Sequence, residues 1–76
     1  MSEHATEFAR HRPAVLGAAY RILGTAHDAE DVAQETWLRW SRVDLSTVRE
    51  PQAYLVRAAS RLALNALRDQ SRRRES

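Results

Sequence analysis

The side chains in this sequence that can do chemistry are mostly arginines and carboxylates. Twelve of its 76 residues are arginine, none is lysine, and ten are aspartate or glutamate. A guanidinium group grips phosphate with a planar fork, stacks on bases and cannot lose its charge. The absence of cysteine excludes disulfides, thiolate metal sites and thiol nucleophiles. There is also no glycine-rich phosphate loop and no hydrolase or metalloprotease motif, so we expect neither an enzyme nor a bound cofactor.

Four arginines near the C-terminal end recur on one side of a predicted helix. At 100° per residue they fall within an arc of about 60°, with Asn65 beside them. They are Arg57, Arg61, Arg68 and Arg72. Almost no acid stands four positions away from any of them, so their mutual repulsion is not compensated within the helix. This pattern favours nucleic-acid binding, while an acidic protein, an anionic membrane surface and a plain solvated face are the alternatives.

An earlier predicted helix has a polar side of the opposite character. Six of its residues share an arc of about 120°. They are Asp28, Asp31, Gln34, Glu35, Leu38 and Arg42. One interpretation is a solvated face with a single exposed leucine. The other is a contact surface, on which Leu38 anchors a basic partner while the acids and Gln34 fix its register.

The net charge of +2 is divided unevenly along the chain. Residues 1–50 carry six arginines and eight acids, a net charge of −2, whereas residues 51–76 carry six arginines and two acids, a net charge of +4. An acidic half and a basic half indicate two surfaces with different partners.

The histidines offer at most a weak metal motif. His4 and His11 flank Glu7, and two imidazoles with one carboxylate near a helix end are a poor ligand set. We therefore expect no metal site.

Helices must position all of these side chains. With 76 residues and 43% hydrophobic content, the chain has room for one small domain with a packed core. Apolar residues recur at helical spacing in three segments, and no segment alternates as a strand does. We therefore predict an all-α fold, a compact antiparallel three-helix bundle with helices at about 3–23, 28–42 and 51–74. The uncharged apolar stretches are too short for a membrane span or a signal peptide, so we expect a cytoplasmic protein with no membrane partner.

Local signals set the predicted helix ends. Gly24 suits the left-handed position that follows the first helix. Pro13 either kinks that helix or marks the true start of its main part, in which case the bundle has four helices. Thr25 with Asp28, or Asp28 with Asp31, caps the second helix.

Each predicted helix has an apolar side that faces the core. In the first helix it consists of Phe8, Val15, Leu16, Ala19, Ile22 and Leu23. In the second it consists of Ala29, Val32, Ala33, Thr36, Trp37 and Trp40. In the third it consists of Leu55, Ala58, Ala59, Leu62 and Ala66. Tyr54, near the start of the third helix, is either a core residue or a stacking platform.

Several stretches of the chain together resemble one known family. The stretch DAEDVAQETWLRW at 28–40 resembles region 2.2 of bacterial sigma factors, above all of the extracytoplasmic-function group. The flanking stretches AYRILG at 19–24, PQAYLVR at 51–57 and RLALN at 61–65 extend the resemblance. The residues in these stretches are similar to those of the sigma-J-like branch of that group. The resemblance implies a sigma factor region 2 domain over residues 1–76, and we expect the chain to be a fragment of a longer protein.

In that family the second helix docks on the clamp helices of the largest subunit of core RNA polymerase. Carried over to this sequence, the resemblance implies polymerase contacts at Asp31, Gln34, Glu35, Leu38 and Arg42. It also implies an anti-sigma factor or a fused regulatory domain as a further partner.

The loop and helix that follow read the promoter −10 element in the same family, with a base of the non-template single strand flipped into a loop pocket. The resemblance implies a pocket within 43–50 and DNA contacts at Arg39, Ser46, Thr47, Arg57, Arg61, Asn65 and Arg68. Arginines hold phosphates and set register, whereas loop backbone and Asn or Ser side chains can hydrogen-bond an unstacked base.

The sequence departs from the family pattern at three positions. Many relatives have tryptophan in place of Tyr54, an aromatic residue in place of Val56 and asparagine in place of Arg61. Val56 has no ring on which a base could stack, and Arg61 suits a phosphate better than a base edge.

Two other functions are compatible with the same charge pattern. A small helical adaptor would use its acidic and basic faces to join two proteins, without sequence-specific DNA binding. An amphipathic segment that seeks anionic surfaces would instead place the third helix on lipid.

Overall fold

The computed structural model describes the backbone of residues 2–75 and the side chains of residues 2–73. Its helices are α1 (Glu3–Leu23), α2 (Ala26–Trp40) and α3 (Pro51–Glu75), with a 3-10 turn (Leu45–Thr47) in the connection between α2 and α3. The predicted all-α three-helix fold is confirmed. No helix among the described residues is both long enough and apolar enough to cross a membrane.

Helix α1 is continuous through its proline. Ser2 caps it, because its Oγ accepts a hydrogen bond from the amide of Ala5 at 3.1 Å. Phe8 and Val15 are both buried, so core packing on either side of Pro13 holds the helix together where one backbone hydrogen bond is missing. The four-helix alternative is therefore wrong. Gly24 ends the helix in the left-handed conformation, with φ of 81°.

Helix α2 begins and ends two residues earlier than the spacing predicts. The first of the two capping alternatives is correct: the Thr25 side chain accepts from the amide of Asp28 at 3.2 Å and donates to its carboxylate at 2.8 Å. At the other end, the Ser41 hydroxyl donates to the Leu38 carbonyl at 2.7 Å. The Arg42 amide donates to the Arg39 carbonyl at 3.2 Å, three positions back, so the last turn tightens and Arg42 lies beyond the helix.

The core consists largely of the predicted apolar sides of the three helices, with a difference on α3. The buried apolar residues are Phe8, Val15, Ala19, Ala29, Val32, Ala33, Trp40, Leu55, Ala59 and Ala63. Ala63 is fully buried although the predicted stripe omits it, whereas Ala58 and Ala66 are only partly buried. Trp37 is also only partly buried. The hydroxyl of buried Thr36 donates to the Val32 carbonyl at 2.7 Å, which satisfies that polar group.

Contacts near both ends of α2 fix its direction relative to α3. Trp40 packs against Tyr54 near the start of α3, and Asp28 accepts a hydrogen bond from Gln70 near the other end at 3.3 Å. The two helices are therefore antiparallel. This places the predicted DNA residues of α3 alongside α2.

The connection at 43–50 is anchored to the bundle. Val43, Leu45 and Val48 are partly buried against the core. Asp44 caps the 3-10 turn, because its carboxylate accepts from the Ser46 amide at 3.0 Å and from the Ser46 hydroxyl at 2.7 Å. Residues 43–50 thus present a shaped surface beside the start of α3.

Candidate nucleic-acid and protein interfaces

A cleft of about 230 Å³ runs between α2 and α3, and we call it the helix cleft. It is lined by Thr36, Arg39, Trp40, Tyr54, Leu55, Ala58, Arg61, Leu62 and Asn65. Three predicted DNA residues, Arg39, Arg61 and Asn65, therefore meet here from two helices. Antiparallel packing brings them together, because Arg39 lies near the end of α2 and Arg61 in the first half of α3.

A second cleft, of about 370 Å³, lies where the connection meets α3, and we call it the loop cleft. It is lined by Thr47, Val48, Arg49, Glu50, Ala53, Tyr54 and Arg57. Two more predicted DNA residues, Thr47 and Arg57, are part of it. The resemblance implies a base pocket within 43–50, and this cleft opens at that segment.

Tyr54 lines both clefts, so the two form one continuous surface. Its side chain is 44% exposed, and its ring packs on Trp40, which is 1% exposed, with the centroids 5.7 Å apart. The inner side of Tyr54 thus contacts the core, and its outer side faces solvent. Tyr54 is not among the predicted DNA contacts, although the sequence offers it as a stacking platform.

Two predicted DNA residues lie apart from these clefts. Ser46 lines neither cleft, and its hydroxyl donates to Asp44. The hydrogen bonds from the Ser46 side chain and then from its backbone lower the pKa of the Asp44 carboxyl below its ordinary value. Arg68 is exposed seven residues beyond Arg61, about 10 Å further along α3. Ser46 therefore shapes the connection, and Arg68 extends the positive surface.

Three arginines of α3 that are predicted to contact DNA, Arg57, Arg61 and Arg68, are exposed to solvent. The ion pairs Arg10–Glu7, Arg12–Glu30 and Arg39–Glu35 and the two histidine–carboxylate pairs lie on α1 and α2, and none of them includes Arg57, Arg61 or Arg68. Arg39 has a carboxylate nearby, Glu35, at 3.9 Å. An exposed pair of that length contributes little, so Arg39 is held only weakly. The helix cleft thus presents guanidinium groups that a polyanion could bind.

The predicted polymerase contacts form an exposed face on α2, which we call the outer face. It consists of Asp31, Gln34, Glu35, Leu38 and Arg42. Leu38 is 50% exposed, and Glu35, Leu38 and Arg42 line the same shallow hollow. Arg42 lies in the turn after α2 and reaches this face from there. Its predicted place within the second helix is therefore wrong. Asp28 is different, because it is partly buried and bonded to Gln70 and Thr25.

The two N-terminal histidines connect elements of the fold. The His4 ring contacts the Val43 carbonyl at 2.6 Å, and the His11 ring contacts the Gln52 amide oxygen at 3.1 Å. Among the described residues, no group of three or more His, Asp or Glu side chains could hold a metal ion. Neither of these long-range contacts is indicated by a motif or by helical spacing in the sequence.

The chain matches a known protein family. The family model described as Sigma-70 region 2 matches residues 8–73, which include α2, both clefts and most of α1 and α3.

The chain belongs to the Sigma-70 region 2 family.

Among curated proteins, this Sigma-70 region 2 chain is similar to ECF RNA polymerase sigma factor SigJ of Mycobacterium tuberculosis H37Rv. The two are 44% identical over 71 residues, 93% of this chain and 22% of SigJ. It is also 31% identical over 78 residues to the probable ECF RNA polymerase sigma factor SigI of M. tuberculosis CDC 1551, across 99% of this chain and 27% of SigI. The chain thus spans about a quarter of the length of these relatives, and the predicted extracytoplasmic-function group is confirmed. No solved structure matches it.

Proposed function

We propose that this Sigma-70 region 2 chain acts in transcription initiation as a non-catalytic binding domain. Its outer face binds the clamp helices of the largest subunit of core RNA polymerase, and its two clefts hold the non-template single strand of the promoter −10 element. The observation that carries the proposal is the convergence of Arg39, Arg61 and Asn65 in one cleft that continues past Tyr54.

The chemistry of the clefts suits a single strand better than a duplex. Bases of a single strand expose their flat faces and all their edges, so they stack on aromatic rings and accept hydrogen bonds from side chains. The half-exposed ring of Tyr54 offers such a face, and Asn65 offers an amide that both donates and accepts. Unstacking a base costs a few kcal/mol, which is least where the strand is already open.

The arginines supply affinity and register for the same strand. Arg57 and Arg61 stand one helical turn apart, each in a different cleft. Phosphate contacts from such a row orient the strand without reading its sequence. The base-reading groups are then Asn65 and the connection at 43–50, with Thr47 in the wall of the loop cleft.

The outer face has the composition of a site for a basic protein surface. Leu38 presents an apolar contact, and Asp31 and Glu35, seven and three positions earlier on the same face, present carboxylates. Charge complementarity of this kind steers association and fixes register. SigJ and SigI carry the name RNA polymerase sigma factor, which supports the polymerase as the partner here.

A selection experiment tests the DNA half of the proposal. The chain is incubated with labelled single strands that carry a randomised hexamer, and the bound fraction is amplified over several rounds. We expect enrichment of one hexamer motif, and weaker selection from the same pool in duplex form. A small adaptor with no DNA function would enrich no motif, and that result would overturn the proposal.

A binding experiment tests the polymerase half independently. Purified bacterial core RNA polymerase is passed over the immobilised chain, with free competitor chain as a control for specific retention. We expect retention that the competitor abolishes. Failure to retain the polymerase would leave the adaptor function as the better account of the outer face.

A further inference from the structure

His4, on the first turn of α1, contacts the connection through both its side chain and its backbone. Its ring Nε2 lies 2.6 Å from the Val43 carbonyl oxygen, 39 positions along the chain. A carbonyl oxygen only accepts, so this nitrogen carries the hydrogen and donates it. The His4 carbonyl accepts from the Trp40 indole Nε1–H at 2.9 Å, and the two rings meet edge to face at 6.1 Å. One residue therefore joins α1 to the end of α2 and to the start of the connection.

The other hydrogen bonds of residues 43–48 within the described part of the chain are local. They join residues no more than three positions apart, such as Thr47 to Asp44 at 3.0 Å and Val48 to Leu45 at 3.1 Å. Local bonds shape the turn, and the non-directional packing of Val43, Leu45 and Val48 on the core leaves room for small motions of the turn relative to the bundle. The bond from His4 restrains that motion.

We propose that His4 is a positioning residue for base recognition: through Val43 and Trp40 it holds the loop cleft in the shape that accepts an unstacked base. The proposal rests on the proposed function, since it concerns how that function is achieved. His4 itself lines neither cleft. The effect of its side chain passes to the start of the connection through Val43, and to Tyr54 through the edge-to-face contact of the His4 ring with the ring of Trp40.

His4 contacts the connection and not α3, so we expect its effect to be confined to base recognition. When the donor is removed, the partly buried Val43 carbonyl loses its partner and the connection gains other conformations. Only the fraction of molecules with a formed loop cleft then binds the base at full strength. The arginines of α3 stand on a separate helix and keep their positions. Loss of His4 should therefore reduce base discrimination and leave phosphate binding unchanged.

The test compares three variants by strand binding. His4→Ala removes the donor, His4→Gln supplies an amide N–H on a side chain of similar reach, and His27→Ala removes an exposed imidazole on α2 as the control. Affinity is measured by fluorescence anisotropy for the selected hexamer strand and for a scrambled strand, over a range of salt concentrations. For His4→Ala we expect the preference for the selected strand to fall about three- to tenfold, with the scrambled-strand affinity and the salt slope unchanged. His4→Gln should recover most of the preference, and His27→Ala should keep all of it.

Amide hydrogen exchange provides a second readout that needs no DNA. In His4→Ala we expect faster exchange at Thr47 and Val48, with unchanged exchange in the buried part of α3 around Leu55. Unchanged exchange at Thr47 and Val48 would overturn the restraint. A parallel loss of affinity for both strands, or no change in preference, would overturn the positioning role.

These readouts separate the two hypotheses. If the unaltered chain does not distinguish the selected strand from the scrambled strand, the proposed function fails and the positioning role fails with it. If the unaltered chain distinguishes them and His4→Ala does so equally well, only the positioning role fails.

Discussion

The ring of Tyr54 rests on the ring of Trp40, with the centroids 5.7 Å apart and the planes inclined at 51°. Trp40 is held in the core and hydrogen-bonded at its indole nitrogen, so it cannot turn away. Tyr54 is therefore ordered before any ligand arrives, although nearly half of its side chain is exposed. An ordered ring binds a base with less loss of side-chain entropy than a mobile one.

Replacement of Tyr54 tests this stacking surface. We expect Tyr54→Ala to weaken binding of the selected single strand by about 1–3 kcal/mol, the usual contribution of one base stacked on an aromatic ring. Tyr54→Phe keeps the ring and should bind nearly as well as the unaltered chain. Tyr20→Ala is the control, because Tyr20 is 52% exposed on α1 and lines neither cleft. Fluorescence anisotropy measures all three, and equal losses for the Ala and Phe variants at Tyr54 would argue against stacking.

The salt dependence of strand binding reports the arginine contacts. For three or four phosphate contacts, the logarithm of affinity should fall with the logarithm of salt concentration with a slope of about −2 to −3, or about −0.7 per contact. Arg61→Ala should make the slope less steep by about 0.7 while the sequence preference stays the same. Arg10→Ala, which removes an exposed arginine on α1, should leave the slope unaltered. A slope near zero in the unaltered chain would contradict the role of the arginines.

The outer face can be tested with two substitutions that touch the clefts only through the weak pair of Glu35 with Arg39 at 3.9 Å. We expect Gln34→Ala combined with Glu35→Ala to abolish or strongly reduce retention of core RNA polymerase. Both residues are exposed, so the free energy of unfolding should change by no more than about 0.5 kcal/mol per substitution. Glu30→Ala is the matched control on the same helix, because Glu30 is turned toward α1, where it pairs with Arg12 at 2.8 Å. Full retention by the double variant would remove the outer face from consideration.

The two glycines give opposite predictions for stability. Gly24 has φ of 81°, so Gly24→Ala should lower the free energy of unfolding by about 1–2 kcal/mol. Gly17 lies within α1 with open space where a Cβ would stand, so Gly17→Ala should raise it by about 0.5–1 kcal/mol. Thermal unfolding followed by circular dichroism measures both changes. A stabilising Gly24→Ala would mean that the end of α1 does not need the left-handed conformation.

Local signals in the sequence predicted the fold well. The stop at Gly24, the first of the two capping alternatives, at Thr25, and the apolar sides of α1 and α2 depend on neighbouring residues and are correct in the structure. On α3 the predicted apolar side omits the fully buried Ala63. The end of α2 is harder to predict, because it depends on hydrogen bonds made by Ser41 and Arg42. The spacing of apolar residues does not indicate those bonds. Sequence patterns therefore predict which segments are helical better than they predict the residues at which the helices begin and end.

The sequence predicts which residues belong to the candidate site better than it predicts how those residues are arranged in space. Helical spacing and family resemblance identified Arg39, Arg61 and Asn65, but only the antiparallel packing of α2 on α3 brings them into one cleft. The contact of His4 with Val43 joins residues 39 positions apart. No periodicity or motif encodes such a pairing, since it depends on how the helices meet in space.

Trp40 gives the molecule a built-in optical reporter. Its indole is almost wholly shielded from solvent, is hydrogen-bonded at nitrogen and forms part of the lining of the helix cleft. Trp37, the other tryptophan, is partly exposed and packs on Phe8 at 5.4 Å. A Trp37→Phe variant would emit from Trp40 alone. Occupancy of the cleft could then be followed in real time by intrinsic fluorescence, with no dye attached to the protein.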